Sequence, residues 1–148
     1  MRSGYGGAVI AKPLAEAGLP LQGTLGVREL DSSVTARLAD CGHEIGAFSS
    51  LLFFGQGGRA LYERHVRANR HRADPFDDTA VELVSEWHRN QHPEARFEVV
   101  VPGTAVLPLG RLAQELGWGR PSPVGLTIHP TYGLWLAHRV VLLSEIAT

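Results

Sequence analysis

Apolar positions along this chain follow two rhythms, and the switches between them mark the elements. Leu21–Leu30 alternates weakly and predicts a first strand. Ser49-Ser50-Leu51-Leu52-Phe53-Phe54-Gly55 is an unbroken apolar run ended by glycine, the pattern of a buried strand. Arg96–Val101, 124–128 and 134–143 predict further strands. Between them the spacing is helical. Asp31 or Ser32 caps a helix running to about Ala39, which Cys41-Gly42 breaks. A helix over 58–69 carries the stripe Leu61, Tyr62, His65, Val66 and Asn69. Another starts at Asp77 or Asp78 with Ala80, Val81, Val84, Trp87 and His88 inward, and Pro93 lies past its end. Leu107–Gly117 buries Leu109, Leu112, Ala113 and Leu116. Residues 1–20, rich in Gly, Ala and Pro, predict an irregular lead-in with at most a short helix near Leu14–Ala17. Interspersed strands and helices point to a layered α+β or α/β domain over 21–148.

Composition narrows the setting. The chain has 148 residues, 44% of them apolar and 20% charged, with a formal net charge of -1. That is enough chain for one packed core. Without a basic bias there is no electrostatic footprint for nucleic acid or an anionic membrane. No run is long enough to span a bilayer, and residues 1–12 lack the apolar core of a signal peptide. Cys41 is the single cysteine, so no internal disulfide or cysteine cluster forms. A cytoplasmic setting is expected.

Candidate chemistry is weighed against plainer readings. Gly55-Gln56-Gly57-Gly58, between a strand and a helix, is placed where backbone amides cradle phosphates. It lacks the full dinucleotide pattern and the P-loop lysine, so a tight turn is the plainer reading. His88 and His92 share a helix face but lack a third ligand, which favours a solvated helix end over a metal site. Arg64, His65, Arg67, Arg70, His71 and Arg72 are followed by Asp74, Asp77 and Asp78, as on a solvated face. Cys41, with His43 and Glu44 nearby, reads as structural rather than nucleophilic. The strongest set is His129, Tyr132, Trp135, His138 and Arg139. Strand alternation puts Trp135, Ala137 and Arg139 on one face and Leu136, His138 and Val140 on the other. A guanidinium beside an aromatic plane suits a bidentate grip on carboxylate or phosphate. A structural ion pair beside a packed tryptophan is the competing reading.

The run PSPVGLTIHPTYGLWLAHRVVLL, Pro121 to Leu143, resembles a segment of the cobalamin-processing family of methylmalonic aciduria and homocystinuria type C. It also resembles bacterial ferredoxin-like relatives of that family and of epoxyqueuosine reductase. Leu51–Gly58 is similar to the strand and glycine turn before their first main helix, and Val101-Pro102-Gly103 to Ala113 to the segment before the motif. The likeness spans roughly 45–145, and its last part is the specific one. It implies a flavin-reductase- or nitroreductase-like α+β fold, an antiparallel sheet flanked by helices. It implies corrinoid (cobalamin) binding, with reductive removal of the upper axial ligand by a thiol such as glutathione or by reduced flavin. Arg139 would grip the glutathione carboxylate or a corrinoid side chain. His129, Tyr132 and Trp135 would line the cavity, and Gly55, Gln56 and Gly57 would approach a cofactor. No protein nucleophile and no protein-bound metal ion are expected. The chain lacks the cysteine-rich iron–sulfur segments of the ferredoxin-like relatives and is shorter than the eukaryotic proteins. A homodimer is one way to complete the cavity. Two other readings are a flavin-binding reductase of the related fold and a partner subunit without cofactor.

Overall fold

The Leu51–Phe54 run becomes the middle of a sheet covered on both faces. The computed structural model describes residues 10–121, 127–128 and 136–147. Strands β1 (Leu21–Gly26), β2 (Ser50–Gly57), β3 (Phe97–Val101) and β6 (Leu136–Ser144) form an antiparallel sheet in the order β1-β2-β6-β3. β4 (Arg120–Pro121) and β5 (Thr127–Ile128) make a separate two-stranded ribbon. Helices α1 (Lys12–Glu16), α2 (Ser32–Asp40), α3 (Pro75–Gln91) and α4 (Leu109–Glu115) complete a small α+β domain.

β2 and β6 are apolar on both sides because each side has a helical cover, as in any doubly covered sheet. Leu51, Phe53, Val141 and Leu143 pack with Val34 and Leu38 of α2 and Leu112 and Ala113 of α4. Leu52, Phe54, Val140 and Leu142 pack on the other face with Leu14 of α1 and Ala80 and Val84 of α3. Local chemistry sets the helix starts. Asp31 accepts from the backbone N–H groups of Ser33 and Val34, both at 3.1 Å, which caps α2 as its sequence predicts. α3 begins at Pro75, a turn earlier than predicted, because proline suits a first helical turn.

Four boundaries differ from the expectation. β1 ends at Gly26, and Val27–Glu29 forms a 3₁₀ turn. β2 runs on to Gly57, so the first three residues of the expected glycine turn are strand. The helix expected over 58–69 is wound as a π-helix at Tyr62–Val66 and as a 3₁₀ turn at Arg67–Asn69. The described part of the lead-in belongs to the core, with Ala11, Leu14 and Leu19 buried. Its anchor is the fully buried Gln22. The amide oxygen of Gln22 accepts from the N–H groups of Ile10 and Ala11, both at 2.8 Å. Its nitrogen donates to the carbonyls of Ala11 at 2.8 Å and Leu19 at 3.0 Å.

His88 is also fully buried, which corrects its reading as part of a solvated helix end. Its Nε2 lies 2.8 Å from Ser144 Oγ on β6, and the ring packs on Phe97 at 4.5 Å between centroids. The helical stripe that listed His88 inward is the reading that holds. Among the described residues, no helix is long and apolar enough to cross a membrane.

Candidate functional site

The site is built where the C-terminal end of β2 meets the start of β6. Phe54 faces Val140 and Gly55 faces His138, so Arg139 has no residue opposite it. This bulge breaks the count by two. Arg139 and Val140 both turn toward α3, while His138 turns toward α4. The alternation that placed His138 and Val140 on one face is thereby corrected.

Arg139 is half-buried and held on three sides. Its Nε donates to Gln56 Oε1 at 2.8 Å. Its guanidinium carbon lies 4.5 Å from the centroid of the Phe76 ring. Nη1 is 3.8 Å from Asp77 Oδ1, an ion pair beyond hydrogen-bonding distance. Phe76 stacks on Tyr62 at 6.0 Å, and Arg67 covers the Tyr62 ring at 5.4 Å. Tyr62 opens the π-helical segment, a winding frequent at functional sites. Burial pushes the Arg139 guanidinium pKa down, against the pull of Asp77 and Asp74, and the group remains a cation. Burial raises the Asp77 carboxyl, helped by repulsion from Asp74 and a hydrogen bond to it. Arg139 pulls the other way and is outweighed. The cation therefore keeps N–H donors beyond its Gln56 bond, but acidic groups already stand before it.

The other side of the bulge carries an aromatic platform. Trp118 is fully buried, and its Nε1–H donates to the Gln22 carbonyl at 3.2 Å. The His138 ring stacks on the indole at 5.4 Å with 25° between planes. Burial lowers the His138 pKa, and a hydrogen bond to the Leu109 backbone opposes the shift. Its Nε2 is buried and has no hydrogen-bond partner among the described residues. A Cβ added at Gly55 would lie 2.7 Å from Trp118 Cζ3. Packing of the indole thus accounts for this glycine without a ligand.

Of the predicted site residues, Gln56 and Arg139 meet directly. Gly55 and Gly57 lie in β2 beside them, opposite His138 and Leu136. His129, Tyr132 and Trp135 lie outside the described residues. The basic cluster disperses. Arg72 pairs with Glu82 at 2.7 Å, and Arg64 donates to the Glu16 carbonyl. Cys41 is half-buried at the end of α2, and His43 turns to Glu98 at 2.8 Å. Two shallow hollows, of about 620 and 630 Å³, both bordered by Phe48, include none of the predicted site residues. Sequence reading missed Phe76, Asp77 and Trp118 as neighbours of the site. Only the mixed polar and apolar content of their segments hinted at it. Among the described residues, no group of three or more His, Cys, Asp or Glu side chains is placed to hold a metal ion. No family model and no curated protein matches the chain.

Proposed function

We propose that this protein binds a corrinoid on a flavin-reductase-like α+β scaffold and supports reductive loss of its upper axial ligand. The carrying observation is Arg139, a half-buried guanidinium within the resembling run. It is fixed by Gln56 at 2.8 Å and backed by Phe76 at 4.5 Å. A cation held this way loses little freedom on gripping an anion.

Within this reading Gln56 fixes the orientation of Arg139, and Arg139 orients an anionic group of the guest or of its thiol co-substrate. Asp77 competes with that anion and weakens its hold until the anion displaces it. A bound corrinoid supplies the redox chemistry, with electrons from a thiol or reduced flavin, so no protein nucleophile is required.

Titration with hydroxocobalamin, followed by visible absorbance and gel filtration, tests this. A shifted spectrum and co-elution are expected. Arg139→Gln should weaken binding about 10- to 100-fold, the worth of a charge-assisted hydrogen bond. Arg139→Lys should not restore it, because lysine lacks the planar fork. No spectral change and no retention would overturn the reading. They would favour a cofactor-free partner subunit, which the Asp77 carboxylate in front of Arg139 also suits.

A further inference from the structure

Among the described residues, β3 has a strand on one side only, β6. Two backbone bonds show which of its groups that neighbour uses. Glu145 N–H donates to the Arg96 carbonyl at 3.0 Å. Ser144, which stands opposite Phe97, turns its carbonyl the other way and accepts from Ser49 N–H at 2.9 Å. Bonding direction alternates along an antiparallel strand. Arg96 and Glu98 therefore bond toward β6, and Phe97 and Val99 turn their N–H and C=O groups outward. Such a row is a template for another strand unless it is guarded.

The edge has room beside it. A hollow of about 630 Å³ straddles it, bordered by Phe48, Arg96 and Glu98 from one sheet face and by Val81, Phe97 and Val99 from the other. Two exposed side chains of opposite sign stand two residues apart along it. Among the described residues, the Arg96 guanidinium reaches Glu145 only through Nε, at 3.4 Å, and lies 5.8 Å from the Phe48 ring centroid. Glu98 engages His43 through Oε1 alone, at 2.8 Å. Both keep hydrogen-bonding atoms to spare.

We propose that this edge joins a second copy of the chain about a two-fold axis at Phe97, making one continuous antiparallel sheet. The two Phe97 residues exchange main-chain bonds, and Arg96 of each copy faces Glu98 of the other. These flanking pairs are of the non-hydrogen-bonded kind, in which side chains approach most closely. An axis at Glu98 would oppose two carboxylates. An axis at Val99 would leave Glu98 facing Val100, and the irregularity between Val99 and Val101 breaks the register there. The charges thus select one register and reject its neighbours. Exposed ion pairs add little energy, so main-chain bonds and the Phe97 contact hold the copies together. A formal net charge of -1 gives the copies little mutual repulsion. The pairing lies at the end of β6 away from Arg139 and does not rest on the corrinoid reading.

Analytical ultracentrifugation of the full chain over a range of concentrations tests this, and a dimer is expected. Arg96→Glu and Glu98→Arg each set like charges opposite one another at both flanking pairs. Each should weaken the dimer about 10- to 100-fold. An equimolar mixture of the two variants should pair again, because each chain then meets opposite charges on the other. Residue-resolved amide exchange on the unaltered chain keeps the test independent of whether the variants fold. Exchange at Phe97 and Val99 should slow as the chain is concentrated. A chain that stays monomeric up to about 0.1 mM overturns the proposal. A dimer unmoved by either charge reversal, or variants that do not pair on mixing, overturn it too. Full protection of Phe97 and Val99 in dilute solution would mean that the edge is covered within one chain, with the same consequence.

Discussion

At Gly55 the absence of a side chain decides how Trp118 and His138 sit. A methyl group there would lie 2.7 Å from Cζ3 and 3.0 Å from Cη2 of the indole, and 3.2 Å from the Ala137 carbonyl. The indole has no room to withdraw, being fully buried with its N–H bound to Gln22. Gly55→Ala should therefore destabilise the fold by about 1–3 kcal/mol, the cost of overpacking a closed core. A lowered urea midpoint at unchanged slope, with altered near-ultraviolet dichroism, is the expected result. A midpoint equal to that of the unaltered chain would remove Trp118 as the reason for the glycine. A glycine near an apolar strand reads as a close approach, but the approaching group lies far along the chain and no local pattern names it. Arg139 shows the same limit. Val140-Val141-Leu142-Leu143 is apolar on both faces, so no alternation reveals the bulge before it. Only pairing with β2 does.

Elements were legible where their signals are local. The cap of α2, the proline in the first turn of α3 and the apolar run of β2 each act within a few residues, and these elements stand close to where the pattern puts them. The winding at Tyr62–Val66 was not legible, because α- and π-turns share nearly the same stripe. Nor was the docking of α1, which depends on a polar residue. Gln22 lies inside β1 and meets four backbone groups of residues 10–19. Gln22→Leu fills similar space but strands those groups, at a cost of about 2–4 kcal/mol. Amide exchange should speed up across residues 10–19 before it does in β2 or β6. Uniform acceleration through the sheet would show that α1 and the sheet unfold as one unit, and would sink this account of Gln22 as a local anchor.

Taken as a whole, the molecule sets two histidines against opposite faces of one sheet, His88 of α3 fully buried against Ser144 and His138 of β6 half-buried against Trp118. Both pKa values are pushed down. Burial is the larger cause for each, with repulsion from His92 added at His88. The unfolded chain titrates its histidines near 6.5. The folded values lie lower, so the unfolded state binds more protons between the two. Stability is thus fully present above about pH 6.5 and lost as pH falls through the folded values. Each histidine contributes a slope of at most about 1.4 kcal/mol per pH unit. Urea unfolding at several pH values between 7.5 and 5 should show this decline. His88→Gln removes one titrating group while keeping an amide within reach of Ser144, so its stability should fall less steeply with acid. Carboxylates such as Asp31 and Glu145, whose pKa values their hydrogen bonds hold down, contribute equally to both chains and cancel in the comparison. Parallel pH curves for the two proteins would mean that His88 takes up its proton without unfolding, and that the sheet face under α3 admits a charge.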